Sequence, residues 1–75
     1  MVIEVSYQTA AEARDTDSRF KHTKYFEAAD MPSRDAVAER LRKVGVDFEE
    51  GTMTINPCDE DAETMRRSNI PVIKF

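Results

Sequence analysis

The sequence predicts an α+β fold. A single domain over 1–75 would hold an antiparallel sheet of four to five short strands, covered by one central helix over 33–44, with a short second helix over about 59–67. Three observations lead there. Residues Ser33 to Val44 carry an apolar stripe at helical spacing. Val2 to Tyr7 alternates apolar and polar residues at the period of a strand. Strand-like stretches lie before and after the helix, the order that packs a helix on one face of an antiparallel sheet.

Taken in order, Ile3, Val5 and Tyr7 alternate with Glu4 and Ser6, which predicts a first strand with one face wet. Thr9-Ala10-Ala11-Glu12 has the spacing of a capping box and predicts one or two helical turns before the polar loop Asp15-Thr16-Asp17-Ser18. The run FKHTKYFEA, Phe20 to Ala28, reads as the second strand, with Phe26 inward and Tyr25 presented outward. In the central helix Val37, Leu41 and Val44 share one face with Ala38. Ser33 or Asp30 caps the start, Asp35 sits near the positive dipole end, and Arg42 and Lys43 sit near the negative end. Gly45 stands where a helix stop requires positive φ.

Beyond the helix, Val46–Glu49 and Thr52–Ile55 read as two strands of a hairpin turning on Glu50-Gly51, with Gly51 supplying a positive φ. Asn56-Pro57 should break the second of these. Asn56 or Asp59 is expected to cap the short helix that ends at Arg66-Arg67. Ile70–Phe75 closes the chain as a strand, with Pro71 near its start. The expected core is Ile3, Val5, Tyr7, Phe20, Phe26, Val37, Leu41, Val44, Val46, Phe48, Met53, Ile55, Met65, Ile70, Val72 and Ile73. It is thin, because a chain of 75 residues buries only about 60% of its unfolded surface.

The composition excludes several functions. One cysteine, Cys58, rules out an internal disulfide framework and fits a reducing compartment. The sequence shows no signal-peptide pattern and no apolar run approaching about 18 residues, so a soluble cytoplasmic protein is expected. Cys58 with His22 is the only conceivable nucleophile–base pair, and three carboxylates directly after Cys58 disfavour its thiolate. Asp15 and Asp17 lack the glycine and twelfth-position glutamate of a calcium loop, and consecutive acids at 59–61 point in different directions. The expectation is no enzyme activity, no catalytic residue, no metal and no cofactor.

Charge is the strongest functional signal. The net charge is −4, yet residues 1–46 balance eight acids with eight bases. The imbalance comes from seven acids, Asp47, Glu49, Glu50, Asp59, Glu60, Asp61 and Glu63, in a stretch without Lys or Arg. Brought together, they would make one negative face that attracts a basic protein surface and competes with phosphates for it. A competing signal is the set Arg14, Arg19, Lys21, His22 and Lys24 interleaved with Phe20 and Tyr25, a pattern that can meet phosphates and stack on bases. The acidic balance of the whole chain weighs against it.

In size, acidity, single-domain α+β layout and lack of enzymatic residues, the chain resembles the small phage-encoded inhibitors of host defence, anti-CRISPR proteins in particular. The resemblance is one of general character, and it implies a stoichiometric binder that occupies a basic DNA-binding surface of a CRISPR effector complex. The residues it would use are the same seven acids, with residues 1–46 charge-neutral, so any imitation of DNA would be one-sided. The expected partner is a basic host protein or nucleic-acid-binding complex, with no direct nucleic-acid contact and no membrane, for a monomer or homodimer. The alternatives are a nucleic-acid module using residues 14–25 and a dimerising structural domain. On any of these readings Cys58 is a spectator. Cys58→Ser should leave partner binding unchanged and abolish only oxidative dimers on a non-reducing gel.

Overall fold

The Val2–Tyr7 alternation does form a strand, and that strand becomes interior to the sheet. The structure is a computed structural model describing all 75 residues. In chain order its elements are β1 (Val2–Tyr7), α1 (Ala10–Arg14), β2 (His22–Glu27), α2 (Arg34–Lys43), a 3-10 turn (Glu50–Thr52), β3 (Thr54–Cys58), α3 (Ala62–Arg67) and β4 (Val72–Lys74). The α+β class is as expected. The four strands run in the order β3-β1-β2-β4.

Local chemistry explains where the helices start and stop. Thr9 caps α1 through a complete capping box, its hydroxyl accepting from the Glu12 amide (3.3 Å) and its amide donating to the Glu12 carboxylate (2.9 Å). Ser33 caps α2 by accepting from the Ala36 amide (3.2 Å). At the other end Gly45 has φ +79°, its amide donates to the Arg42 carbonyl, and the Val46 amide donates to the Leu41 carbonyl. These two bonds make a Schellman stop. The same stop ends α3, with Asn69 at φ +63° and the Ile70 amide bonded to the Met65 carbonyl.

The sheet is covered on both faces. Ile3, Val5, Tyr7 and Phe26 pack with Val37, Ala38 and Leu41 of α2 and with Met53, while Val46 and Phe48 pad the margin. On the opposite face Val2 packs with Ala62 and Met65 of α3, backed by Tyr25, Cys58, Ile70 and Val72. The expected wet face is therefore only half wet. Val2 and Ile3 are both buried, because α3 returns beneath the strand end that the alternation alone leaves open.

The region after α2 departs from expectation. The hairpin at 46–55 does not form: Val46–Glu49 is irregular, Gly51 is not at positive φ, and a 3-10 turn replaces the tight loop. Its hydrogen bonds go elsewhere. Arg34 donates to the carbonyls of Glu50 (2.6 Å) and Met53 (2.7 Å), and the Thr52 hydroxyl donates to the Glu49 carbonyl (2.7 Å) and accepts from the Gln8 amide (2.9 Å). Thr54–Cys58 pairs with β1 instead. Asn56-Pro57 lies inside that strand rather than breaking it. The Glu49 amide donates to the Gln8 carbonyl, so Gln8 faces the β3 side, and by alternation Ser6, Glu4 and Val2 do too. Their partners Thr54, Asn56 and Cys58 then face β1, leaving Ile55 and Pro57 to turn their backbone outward, where a missing N–H costs nothing.

The sheet is mixed. β1 pairs antiparallel with β2 and β3, but β4 lies parallel to β2. A crossover through α3 preserves chain direction, so β4 must run with β3 and hence with β2. The second and last strands are shorter than Phe20–Ala28 and Ile70–Phe75, and α3 starts at Ala62 with Asp61 as its cap, not Asp59 or Asn56. Phe20 and Val44, both expected in the core, are exposed at 60% and 43%. Phe20 precedes the strand, and Val44 is the C-cap of α2, beyond its last full turn.

Two half-cores give two stability tests. Leu41 is fully buried and Met65 nearly so. Each change to Ala should therefore cost about 2–5 kcal/mol, while Lys43→Ala on the exposed face should stay within about 0.5 kcal/mol. Denaturant melts decide it: a small loss at Met65 would mean that α3 contributes no core of its own.

Candidate interaction surfaces

The seven acids do not form one face. Asp47, Glu49 and Glu50 lie at the Tyr7 end of the sheet, where the Glu49 amide meets the Gln8 carbonyl at 2.8 Å. Asp59, Glu60, Asp61 and Glu63 follow Cys58, which stands opposite Val2 at the other end. The length of β3, about 13 Å at 3.3 Å per residue, separates the two groups. Within the groups, Glu50 pairs with Arg42 (3.1 Å) and Glu63 with Arg67. Asp61 is the α3 cap: the Thr64 amide donates to it at 2.7 Å and holds its carboxyl below the usual carboxylate range. Asp47, Glu49, Asp59 and Glu60 have no ion-pair partner.

One further acid joins the second group. Glu4 on β1 stands directly across from Tyr25 on β2 and Asn56 on β3. The Tyr25 phenol is pushed above its ordinary value first by desolvation, then by the charges of Glu4, Cys58 and Glu60. Glu4 lies with Tyr25 on the α3 side of the sheet, and Asp59 and Glu60 line a hollow with Val2, Cys58 and Ala62 of that same side. In the sequence Glu4 is visible only as the wet position of a strand, and nothing in a local pattern says which acids a neighbouring strand will bring beside it. Arg66 and Arg67, the cations of α3, are engaged by Glu27 and Glu63.

The Tyr7 end has a different chemistry. Four rings make a continuous row: Phe20 meets His22 edge to face (centroids 4.8 Å apart), His22 stacks on Tyr7 (5.5 Å), and Tyr7 meets the edge of Phe48 (6.1 Å). The Arg42 guanidinium lies 5.5 Å over Phe48 and closes the row. His22 Nε2 sits 3.1 and 3.2 Å from the two Glu12 carboxylate oxygens and so ties α1 to β2. The Gln8 side-chain amide donates to the carbonyls of Ser18 (3.3 Å) and Phe20 (3.1 Å), pinning the loop between them. Of the basic residues here, Arg14, Arg19, Lys21 and Lys24 have no carboxylate partner.

Cys58 and His22 are not assembled as a nucleophile and base. Their β1 partners are Val2 and Tyr7, about 17 Å apart along the strand. The largest hollow, about 670 Å³, is an open apolar surface lined by Ala28, Ala29, Met31, Pro32 and Phe75 among others, and through Met1 and Glu27 it borders the smaller hollow lined by Asp59, Glu60 and Asp61. No helix is long and apolar enough to cross a membrane. No family model matches the chain, and neither does any curated protein or solved structure.

The Glu12 clamp yields a pH prediction. The Thr9 amide chiefly, with the Thr9 hydroxyl and His22, lowers the Glu12 pKa against a smaller desolvation effect. A carboxylate depressed by folding stabilises fully above its unfolded pKa and loses that contribution as pH falls through the folded value. Glu12→Gln keeps the cap but removes the charge. Its melting temperature should lie below that of the parent at neutral pH and converge with it in acid. Parallel curves across that range would show the clamp to be electrostatically idle.

Proposed function

We propose that the protein is a non-enzymatic inhibitor that binds a basic surface of another protein through acids on the α3 side of its sheet, in the manner of anti-CRISPR proteins. A basic DNA-binding surface of a CRISPR effector complex fits this chemistry, and it would place the protein in the cytoplasm. The observation that carries the reading is that Glu4 stands beside Tyr25 on the α3 side of the sheet, and Asp59 and Glu60 line a hollow with Val2, Cys58 and Ala62 of that side, where the cations of α3 are already engaged. Unopposed acids on a rigid sheet raise the local potential and steer a basic partner toward them. Asp61 and Glu63 flank this group, while Asp47, Glu49 and Glu50 form a separate, smaller one at the far end.

Purified effector complexes and a labelled target duplex test the proposal by mobility shift. Added protein should release the duplex, and raising the salt should weaken the effect, because fields are screened over about 8 Å at physiological ionic strength. The triple change Glu4→Gln, Asp59→Asn and Glu60→Gln should weaken inhibition at least about tenfold, mainly by slowing association. Asp47→Asn with Glu49→Gln should change it less than about threefold. An inhibitor indifferent to the triple change would sink the acidic reading.

A further inference from the structure

Phe20 is the most exposed large apolar side chain in the protein, at 60%. A single exposed aromatic is ordinary on any surface. This one is held in place. His22 braces its ring, Tyr7 and Glu12 brace His22, and the Gln8 amide bonds the Phe20 carbonyl. Its chain neighbours are Arg19 and Lys21, and neither has a carboxylate partner. The nearby acids are partly occupied, since Glu12 is held by Thr9 and His22, and a carboxylate oxygen of Asp15 accepts from the Asp17 amide at 3.0 Å.

We infer that the segment 14–24, the loop between α1 and β2 with its flanking residues, is a contact for single-stranded nucleic acid, with a base stacked on Phe20 and phosphates met by Arg19 and Lys21. A braced aromatic between two free cations is the elementary unit of sequence-tolerant strand binding, in which stacking and phosphate attraction act together. A duplex fits less well, because its bases are already stacked and offer no open face to the ring. Asp15 and Asp17 keep the local positive excess small, so binding is weak and salt-sensitive. The surface lies at the Tyr7 end, away from Glu4, Asp59 and Glu60. It runs against the expectation of no direct nucleic-acid contact, which rested on overall charge and could not register that these cations stay unpaired.

Fluorescence anisotropy on the full chain tests this, with labelled oligo-dT, oligo-rU and a hairpin duplex of about 20 nucleotides as probes. At low salt one or both single strands should bind, and the pair of them distinguishes DNA from RNA as the ligand. Phe20→Ala should weaken binding about tenfold, as loss of one stacked base does, and Phe20→Trp should restore it. Arg19→Gln with Lys21→Gln should flatten the salt dependence by about 0.7 in log–log slope for each phosphate that is no longer neutralised. Thermal melts confirm that these exposed changes leave the fold intact. No single-strand binding up to millimolar protein, equal affinity of Phe20→Ala and the parent, or a duplex bound as tightly as the single strands would each overturn the inference. The acidic surface does not depend on any of these results.

Discussion

The antiparallel register between β1 and β2 is the constraint from which the rest of the molecule follows. It sets Ile3 against Phe26, Glu4 against Tyr25 and Tyr7 against His22. The first pair forms the centre of the main core, the second places a carboxylate beside a phenol, and the third starts the row of rings at one end. Because side chains alternate faces, a slip of one residue would send Glu4 and Ser6 beneath α2 and turn Ile3 and Val5 away from it. Burial of Ile3, Val5 and Phe26, each fully inaccessible, is what forbids that slip.

Around that pair the protein divides its small apolar content between two faces. The larger share lies under α2 and the smaller under α3. α3 is only six residues long, and a helix of that length has little stability of its own in water. Its place is fixed by the Asp61 cap, the Schellman stop at Asn69 and the seating of Ala62 and Met65 on Val2. Carrying the chain from one sheet edge to the other has two results. β4 is forced parallel, and α3 is laid across the face that carries Val2 and Tyr25.

The two ends of the sheet consequently differ in chemistry. The Val2 end gathers free carboxylates from separate elements, and the Tyr7 end gathers rings and free cations on a pinned loop. Net charge averages over both and describes neither. On the two proposals above, the Val2 end would meet a basic protein surface and the Tyr7 end a nucleic-acid strand.

The sequence by itself determined most of what is coded within one turn or one strand, the α3 cap at Asp61 and the turn at Gly51 being the local readings it missed. The capping box at Thr9 and Glu12, the cap at Ser33, the Val37–Leu41 stripe, the stop at Gly45 and the alternation of Val2–Tyr7 all read correctly, because each involves residues within a few positions of one another. Tertiary structure decided what depends on distant partners. Val46–Glu49 has a strand's alternation, yet Arg34 and Thr52 claim the carbonyls around the turn and β3 pairs with β1 instead. Pro57 reads as a breaker but is harmless on an outward-facing edge, and Val2 reads as wet until α3 covers it. The acids at 47–50 and 59–63 are neighbours in sequence, but a strand held extended by its pairing with β1 keeps them apart. Glu4, more than fifty residues from Glu60 in the chain, is brought to the same side by that same pairing.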